Sequence, residues 1–411
     1  MLRGIIANDP RSPRPEKHGN PRNKPRRLAA ALATVLVMVL APHNTQVDAG
    51  PRTKLEVTTC DAPATTRNRT TRRVVGTKCA STAVDAGDCI RDEKRWSTRY
   101  RCLPSFVIGG AQKSATGSLA KWLENHPYLQ RGIGSKGHPG EVHYFDSFSR
   151  NASLVDLERT WRSYAERFPA LSENDLKKGV LTYEKSPSYL RFQQAPRLLA
   201  SLLPSCAWIL ILRNPVDRAY SAFAHHIRHG RFGVFGDRVH TIDQKGCPAK
   251  RLRVWRLTPT KFEDACVKNV HILRGASDPA KFDAYVRYDT VASHHVDIVG
   301  ERWKGGGPLD VVRDGFYDTQ FVQLYEFVDR NRVHVLFFED LIKNPAGVLD
   351  KLQTALGLPF HKFAPRDLVV TKSRSRPPML TETRAFLRAF YAPSLVSLRR
   401  VLQRDLPEAW L

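Results

Sequence analysis

Lys113 stands in the run Phe106-Val107-Ile108-Gly109-Gly110-Ala111-Gln112-Lys113-Ser114-Ala115-Thr116-Gly117-Ser118-Leu119. The run reads as an apolar strand, a tight loop and the opening of a helix. Such a loop turns consecutive backbone N–H groups toward one point, and the helix dipole adds partial positive charge there. A phosphate or sulfate seated at that point would meet the Lys113 ammonium, with hydroxyls from Thr116 and Ser118 close by. The order differs from the G-x-x-x-x-G-K-[ST] loop of ATPases, because Lys113 precedes the Thr instead of closing the loop beside it. An ordinary strand–turn–helix with a solvated lysine would share the pattern, so the loop alone decides nothing. A second run, Ile209-Leu210-Ile211-Leu212-Arg213-Asn214-Pro215-Val216-Asp217-Arg218-Ala219-Tyr220-Ser221, ends a buried strand at Arg213 and opens a helix at Pro215. Ser221 follows two helical turns later, so Arg213 and Ser221 could together hold a second phosphate through the donor fork of the guanidinium. The bland alternative is a strand-end salt bridge and a surface hydroxyl.

The elements around these residues set the fold class. From Phe106 onward, short apolar runs alternate with helical patterns, which predicts an α/β fold around a central parallel sheet. Strands are expected at Phe106–Gly110, Gly179–Tyr183, Ala207–Leu212 and Val333–Phe338. Helices are expected at Ser118–Asn125, Val216–His229, Phe316–Asp329 and Thr381–Leu402. Residues 236–310 lack clear periodicity and read as an insertion, and no internal repeat is visible. Residues 42–104, rich in Thr, Arg and Ala, read as a stem.

The 411 residues include 65 Lys and Arg against 40 Asp and Glu, a formal net charge of +25. At 42% apolar and 26% charged, the chain is neither wholly disordered nor collagen-like. A single long apolar run excludes a multi-pass membrane protein. The basic excess fits anionic partners, and composition does not choose among nucleic acid, membrane and polysaccharide. Leu28 to Ala41 would span about 21 Å as a helix, short of a bilayer core of about 30 Å. It follows the basic stretch Arg22 to Arg27, which directs the N-terminus to the cytosol. Residues 1–27 are then a cytosolic tail and 28–41 a signal anchor. A cleaved signal ending near Gly50 is the alternative. Both put residues 50–411 in an oxidising lumen, either behind a single-pass type II anchor or secreted. Seven cysteines suit that compartment. Cys206 reads as a buried thiol, and Cys247 and Cys266 flank a basic segment where they could pair. No C-x-x-C spacing occurs, so no metal site is expected. Asn68-Arg69-Thr70 and Asn151-Ala152-Ser153 are glycosylation sequons.

With these residues in place, the chain resembles sulfotransferases that use 3′-phosphoadenylyl sulfate. Lys113 to Leu119 looks like their 5′-phosphosulfate loop, and Arg213 to Ser221 like their 3′-phosphate motif. The likeness is greatest to the Golgi enzymes that sulfate glycosaminoglycans, the heparan sulfate N- and 3-O-sulfotransferases. It continues through Glu141-Val142-His143-Tyr144-Phe145-Asp146, Tyr183-Glu184-Lys185-Ser186-Pro187-Ser188-Tyr189 and Phe338-Glu339-Asp340-Leu341. It then reaches Lys372 to Pro378 and Thr383-Arg384 to Tyr391. Two departures stand out: Ala115 and Gly140 occupy positions where the family usually has Gly and Lys.

The resemblance implies a P-loop-like three-layer domain over 105–411, acting in the Golgi lumen. It implies 3′-phosphoadenylyl sulfate as donor and the 3′,5′-bisphosphate nucleotide as product, with no metal. The acceptor would be an anionic polysaccharide, and no nucleic acid would be bound. Lys113 would stabilise the leaving phosphate. Glu141 would take the acceptor proton, with His143 orienting the acceptor or sharing that proton. Lys113, Ser114, Ala115, Thr116, Gly117 and Ser118 would hold the 5′-phosphate, and Arg213 and Ser221 the 3′-phosphate. Lys372, Ser373 and Arg374 would close over the nucleotide, while Asp146 and Lys185 would bind the acceptor. Without the two phosphate motifs, Glu141 and Asp146 would read as solvated loop carboxylates, His143 as a core histidine and Glu184-Lys185 as a surface ion pair. Two other functions fit parts of the pattern. A P-loop kinase would want a metal-binding hydroxyl directly after the loop lysine, which Ser114 offers, but also a second glycine frame that this loop lacks. A non-catalytic, membrane-anchored polyanion-binding protein would have no use for the combined set.

Overall fold

In a computed structural model of the chain, the described residues are 74–75, 84–92, 98–135, 140–146, 157–192, 194–230, 232–235, 238–241, 271–273, 278–293, 311–369 and 376–411. All fall within the unit Val57–Leu411. Five parallel strands form the central sheet: β1 Phe106–Gly110, β2 Leu129–Arg131, β3 Leu181–Lys185, β4 Ala207–Leu212 and β5 Val333–Phe337. Their order is β2-β3-β1-β4-β5. The chain therefore leaves β1 toward one edge of the sheet, returns to β3, and crosses to the other side at β4. In open parallel sheets the crevice beyond the carboxyl ends at such a reversal is where ligands bind.

Alternation along the strands builds the three layers. Phe106, Ile108, Tyr183, Ile209 and Ile211 face one cluster with Leu119 and Trp122 of α1 (Thr116–Leu123). Val107, Trp208, Leu210, Leu212 and Phe337 face the other cluster. That second face is covered by α2 (Leu157–Ala165), α3 (Gln194–Leu202), α4 (Pro215–Arg228), α5 (Pro279–Ser293) and α6 (Tyr317–Tyr325). Leu349 and Leu352 of α7 (Pro345–Leu356) pack on the first face, and Leu387, Leu395 and Leu398 of α8 (Thr381–Leu402) on the second. Gly109 permits the close approach of β4, since a Cβ there would stand 2.7 Å from the Trp208 ring.

β1, β4 and α8 occupy the ranges expected from the sequence. β3 begins two residues later than expected because Gly179, with φ 77°, still belongs to the turn after the short helix Glu173–Lys177. Phe338 opens a helical turn, Phe338–Lys343, instead of ending β5. Two segments carry more structure than the sequence reading gave them. Within 236–310, residues Arg238–Thr241 and His271–Leu273 pair with Phe232–Phe235, and α5 follows. Within 42–104, Val74–Val75, Cys89–Arg91 and Tyr100–Cys102 form a small sheet with Ala170–Leu171. That part of the expected stem is thus joined to the fold. A disulfide links Cys89 to Cys102 across this sheet, and Cys206 is a buried free thiol. The expected Cys247–Cys266 pair lies outside the described residues, as do Leu28–Ala41, Asn68 and Asn151. Among the described residues no helix is long and apolar enough to cross a membrane.

Candidate active site

The candidate residues gather at the carboxyl ends of the sheet because each follows a strand. Lys113 follows β1, Glu141 to Asp146 lie beyond β2, Lys185 ends β3, and Arg213 follows β4. After β1, Lys113 and Ala115 take left-handed conformations, φ 68° and 67°, so the loop turns sharply before α1. Ala115 is the N-cap residue of α1 yet gives no side-chain cap, and the first turn of α1 holds no acid. Its leading N–H groups are therefore left to an anion. A left-handed alanine costs on the order of 1 kcal/mol, a strain that glycine would not carry. Ser114, Thr116 and Ser118 are buried.

Cations converge on this loop. Burial lowers Lys113 to about 8, Arg228 adds to the effect, Glu141 opposes it, and Arg213 and Arg376 lower it further. Arg213 donates from Nη1 to the Lys113 carbonyl at 3.3 Å and lies 4.4 Å over the Phe338 ring. Arg376 lies 4.9 Å over the Tyr220 ring. Among the described residues, none of these four cations has a carboxylate salt-bridge partner. Four positive charges without a salt-bridge carboxylate, three of them part-buried, form a seat for a polyanion of small size. α4 begins here with Asn214 accepting from the Val216 N–H at 3.0 Å and Pro215 in the first position. Ser221 is buried on that helix.

Beside the cations stands a closed set of charges. Glu141 accepts from Lys185 Nζ at 2.7 Å through Oε1, and its Oε2 lies 2.9 Å from His143 Nε2. The other ring nitrogen of His143 bonds the Asp146 carboxylate. Burial pulls His143 down, but its bonds to Asp146 and Glu141 prevail and raise it to about 9. Burial pushes Glu141 up, yet His143 and Lys185 hold it at about 2. At neutral pH the set is thus a carboxylate between an ammonium and an imidazolium. Asp146, expected beside the acceptor, is 1% exposed and also accepts from Ser188 Oγ at 2.8 Å. Its place is behind His143. Glu184 and Lys185 are not an ion pair, because strand alternation sends them to opposite faces: Glu184 is fully buried and Lys185 reaches Glu141.

The structure therefore brings together Lys113, Arg213, Glu141, His143, Asp146 and Lys185. Lys372, Ser373 and Arg374 fall outside the described residues, while neighbouring Arg376 joins the cations. His225 was not foreseen. It lies one turn after Ser221 on α4, with its ring 4.6 Å from that of His229. Burial, then Lys113, His229 and Arg228, lower His225 to about 3, and Glu141 opposes them. A neutral imidazole thus stands within the fields of both Lys113 and Glu141. Its signal in the sequence was the i, i+4 spacing from Ser221. Among the described residues no group of His, Cys, Asp and Glu is arranged to hold a metal ion.

A parallel α/β sheet with a cation-lined anion seat at its reversal point, next to a part-buried Glu–His–Asp set, defines a protein built to hold a small polyanion beside proton-transfer groups. The sulfotransferase domain model matches residues 112–375, and the chain belongs to that family of enzymes. Over 344 residues it is 24% identical to the bifunctional heparan sulfate N-deacetylase/N-sulfotransferase 4 of Mus musculus, covering 76% of this chain and 32% of that protein. Over 129 residues it is 34% identical to the bifunctional heparan sulfate N-deacetylase/N-sulfotransferase 1 of Caenorhabditis elegans, covering 31% of this chain and 14% of that one. The chain spans about a third of the length of the first of these relatives. A solved sulfotransferase from Alicyclobacillus acidocaldarius is 21% identical, with 75% of this chain and 99% of that chain covered at a TM-score of 0.41.

Proposed function

We propose that the chain transfers a sulfuryl group from 3′-phosphoadenylyl sulfate to an amine or hydroxyl of an anionic polysaccharide, a glycosaminoglycan of the heparan type. The observation that carries this reading is the juxtaposition of Lys113, Arg213, Arg228 and Arg376 with Glu141. The residues fit the donor. The β1–α1 loop and Lys113 take the phosphosulfate end, and Arg213 with Ser221 takes the 3′-phosphate. Lys372, Ser373 and Arg374 close over the nucleotide. Lys113, protonated at neutral pH, meets the charge that grows on the leaving phosphate oxygen.

Glu141 is the base that takes the acceptor proton. In the resting site it is ionised but saturated by Lys185 and His143. An acceptor whose own anionic group draws Lys185 away leaves Glu141 more basic, so the acceptor's charge is coupled to activation. His143, fixed by Asp146, keeps Glu141 turned toward the acceptor, and neutral His225 offers a second hydrogen-bond acceptor near the transferring group. Two further parts of the reading concern place. Residues 28–41 anchor a type II Golgi protein whose domain lies in the lumen, and Asn68 and Asn151 are its glycosylation sites. The Cys89–Cys102 disulfide supports an oxidising compartment.

Incubating the full chain with labelled donor and a panel of desulfated glycosaminoglycans, followed by disaccharide analysis, tests the reading. Label is expected in a glycan at a defined position. Label in none of them, with the donor bound, counts against the acceptor class.

A further inference from the structure

The block Tyr183 to Tyr189 does more than supply Lys185. Its side chains capture the backbone of the loop that bears Glu141 and His143. Ser186 Oγ accepts the His143 N–H at 2.9 Å, and Tyr189 Oη accepts the N–H groups of Tyr144 at 2.9 Å and Phe145 at 3.1 Å. His143 holds φ 51°, a conformation an L-residue keeps only when its surroundings impose it. Both lone pairs of Tyr189 Oη are spent on the loop, so its own proton must go elsewhere. Beneath it lies Glu184, 0% exposed, on the face of β3 opposite Lys185. Neither Glu184 oxygen, nor Tyr164 Oη of α2, has a partner that meets hydrogen-bond geometry among the described residues. Burial pushes the Glu184 carboxyl up to about 8, and the groups that oppose burial are first the hydroxyls of Tyr189 and Tyr164, then the charge of His143. A neutral carboxylic acid has one acceptor oxygen and one O–H. The two phenols bring two O–H groups, which the two lone pairs of that acceptor oxygen can receive, and Tyr164 Oη can take the acid proton, so a small shift satisfies all three buried groups.

We propose that Glu184 is a positioning residue of the active site: seated between Tyr164 and Tyr189, it takes the Tyr189 proton and fixes the phenol oxygen from which the Tyr144 and Phe145 amides hang. Glu184 touches no substrate. Accepting from a phenol makes that phenol oxygen a better acceptor, which tightens its hold on both amides and so on the direction in which Glu141 and His143 point. The inference rests on the reading of Glu141 as the base.

The test uses the full chain with 3′-phosphoadenylyl sulfate, N-desulfated heparin and the bisphosphate nucleotide product. Glu184→Gln, which keeps an acceptor oxygen and a donor while adding one further N–H, is expected to retain kcat within about twofold. Glu184→Leu is expected to lower kcat about tenfold or more, as a misaimed reacting group does, with product-nucleotide affinity unchanged. Hydrogen exchange should quicken at residues 141–146 in Glu184→Leu and Tyr189→Phe and stay slow in Glu184→Gln. The double variant Glu184→Leu/Tyr189→Phe should be no slower than Tyr189→Phe alone, since both changes cut one chain of bonds. Wild-type kcat and exchange in Glu184→Leu, or a Glu184→Gln as impaired as Glu184→Leu, overturns the proposal. If Glu184→Leu does not fold, Glu184→Gln and Tyr189→Phe still decide it through exchange at 141–146. Glu141→Gln measured in parallel separates the two layers: full activity there removes the base reading, whereas a dead Glu141→Gln beside a normal Glu184→Leu removes only the positioning role.

Discussion

Two groups with opposite shifts lie beyond the carboxyl ends of β1 and β2, and each leads to a pH prediction. Lys113 is lowered to about 8 in the free protein, so its ammonium is lost as pH rises through that value. Since kcat/KM reports the free enzyme, kcat/KM for the donor should decline above about pH 8. Lys113→Arg should flatten that decline even if it lowers the plateau; an unchanged alkaline limb in Lys113→Arg would assign the ionisation to another group. His143 is raised to about 9 from an ordinary value near 6.5. A raised cation contributes stability that is whole below about pH 6.5 and disappears as pH climbs through 9. Glu141, depressed to about 2, contributes above its ordinary 4.5 and loses that contribution as pH falls toward 2. The stability these two groups contribute is therefore full between about pH 4.5 and 6.5, and His143→Ala should remove part of the stability loss between pH 6.5 and 9. Urea unfolding at several pH values measures this, and parallel curves for the two proteins would show that His143 carries no such linkage. These groups differ in how they could be read from sequence. Lys113 and Arg213 sit in local motifs whose loop and helix-start residues are adjacent in the chain. His225 takes its meaning from Lys113 and Glu141, which are far away in the chain, and only the fold brings them near.

α5 carries the same lesson for whole elements. Its buried face, Phe282, Tyr285 and Val286, rests on α4 through ring contacts of Phe282 with Tyr220 at 4.9 Å and with Phe223 at 5.1 Å. Further apolar residues, Ala280, Ala284, Tyr288 and Val291, are scattered between these positions and blur the period that would mark a helix in a segment already read as an insertion. β1 and β4, by contrast, are continuous apolar runs buried on both faces and were legible at once. Cys89 and Cys102 went unpaired in the sequence reading because nothing local says that their strands are antiparallel neighbours. Phe282→Ala should cost about 3–5 kcal/mol by leaving a cavity against α4, and it should also weaken product-nucleotide binding, because α4 carries Ser221 and follows directly on Arg213. A thermal melt and calorimetry on one preparation check both; full stability with full affinity would show that α5 does not brace the helix. Cys89→Ser should lower stability by about 2–4 kcal/mol while leaving product-nucleotide affinity near normal, since the small sheet stands apart from the anion seat.

For the molecule as a whole, an excess of basic residues meets a site whose own cations lack carboxylate partners among the described residues, which fits an acceptor that is itself an anion. Acceptor KM should therefore rise steeply with salt, as long-range attraction between charges is screened. In sealed microsomes, added protease should trim only the N-terminal tail and spare residues 50–411. Digestion of the folded domain in intact vesicles would place it on the other side. The central claim is that Glu141 removes the acceptor proton while the cations beside it hold the donor. Its most direct test compares wild-type chain with Glu141→Gln, measuring labelled sulfuryl transfer to N-desulfated heparin together with calorimetric affinity for the bisphosphate nucleotide. The account predicts transfer by the wild type, a fall of about 10²–10⁴-fold in Glu141→Gln, and equal nucleotide affinity in both. Near-normal transfer by Glu141→Gln, or a loss of nucleotide affinity matching the loss of rate, would contradict it.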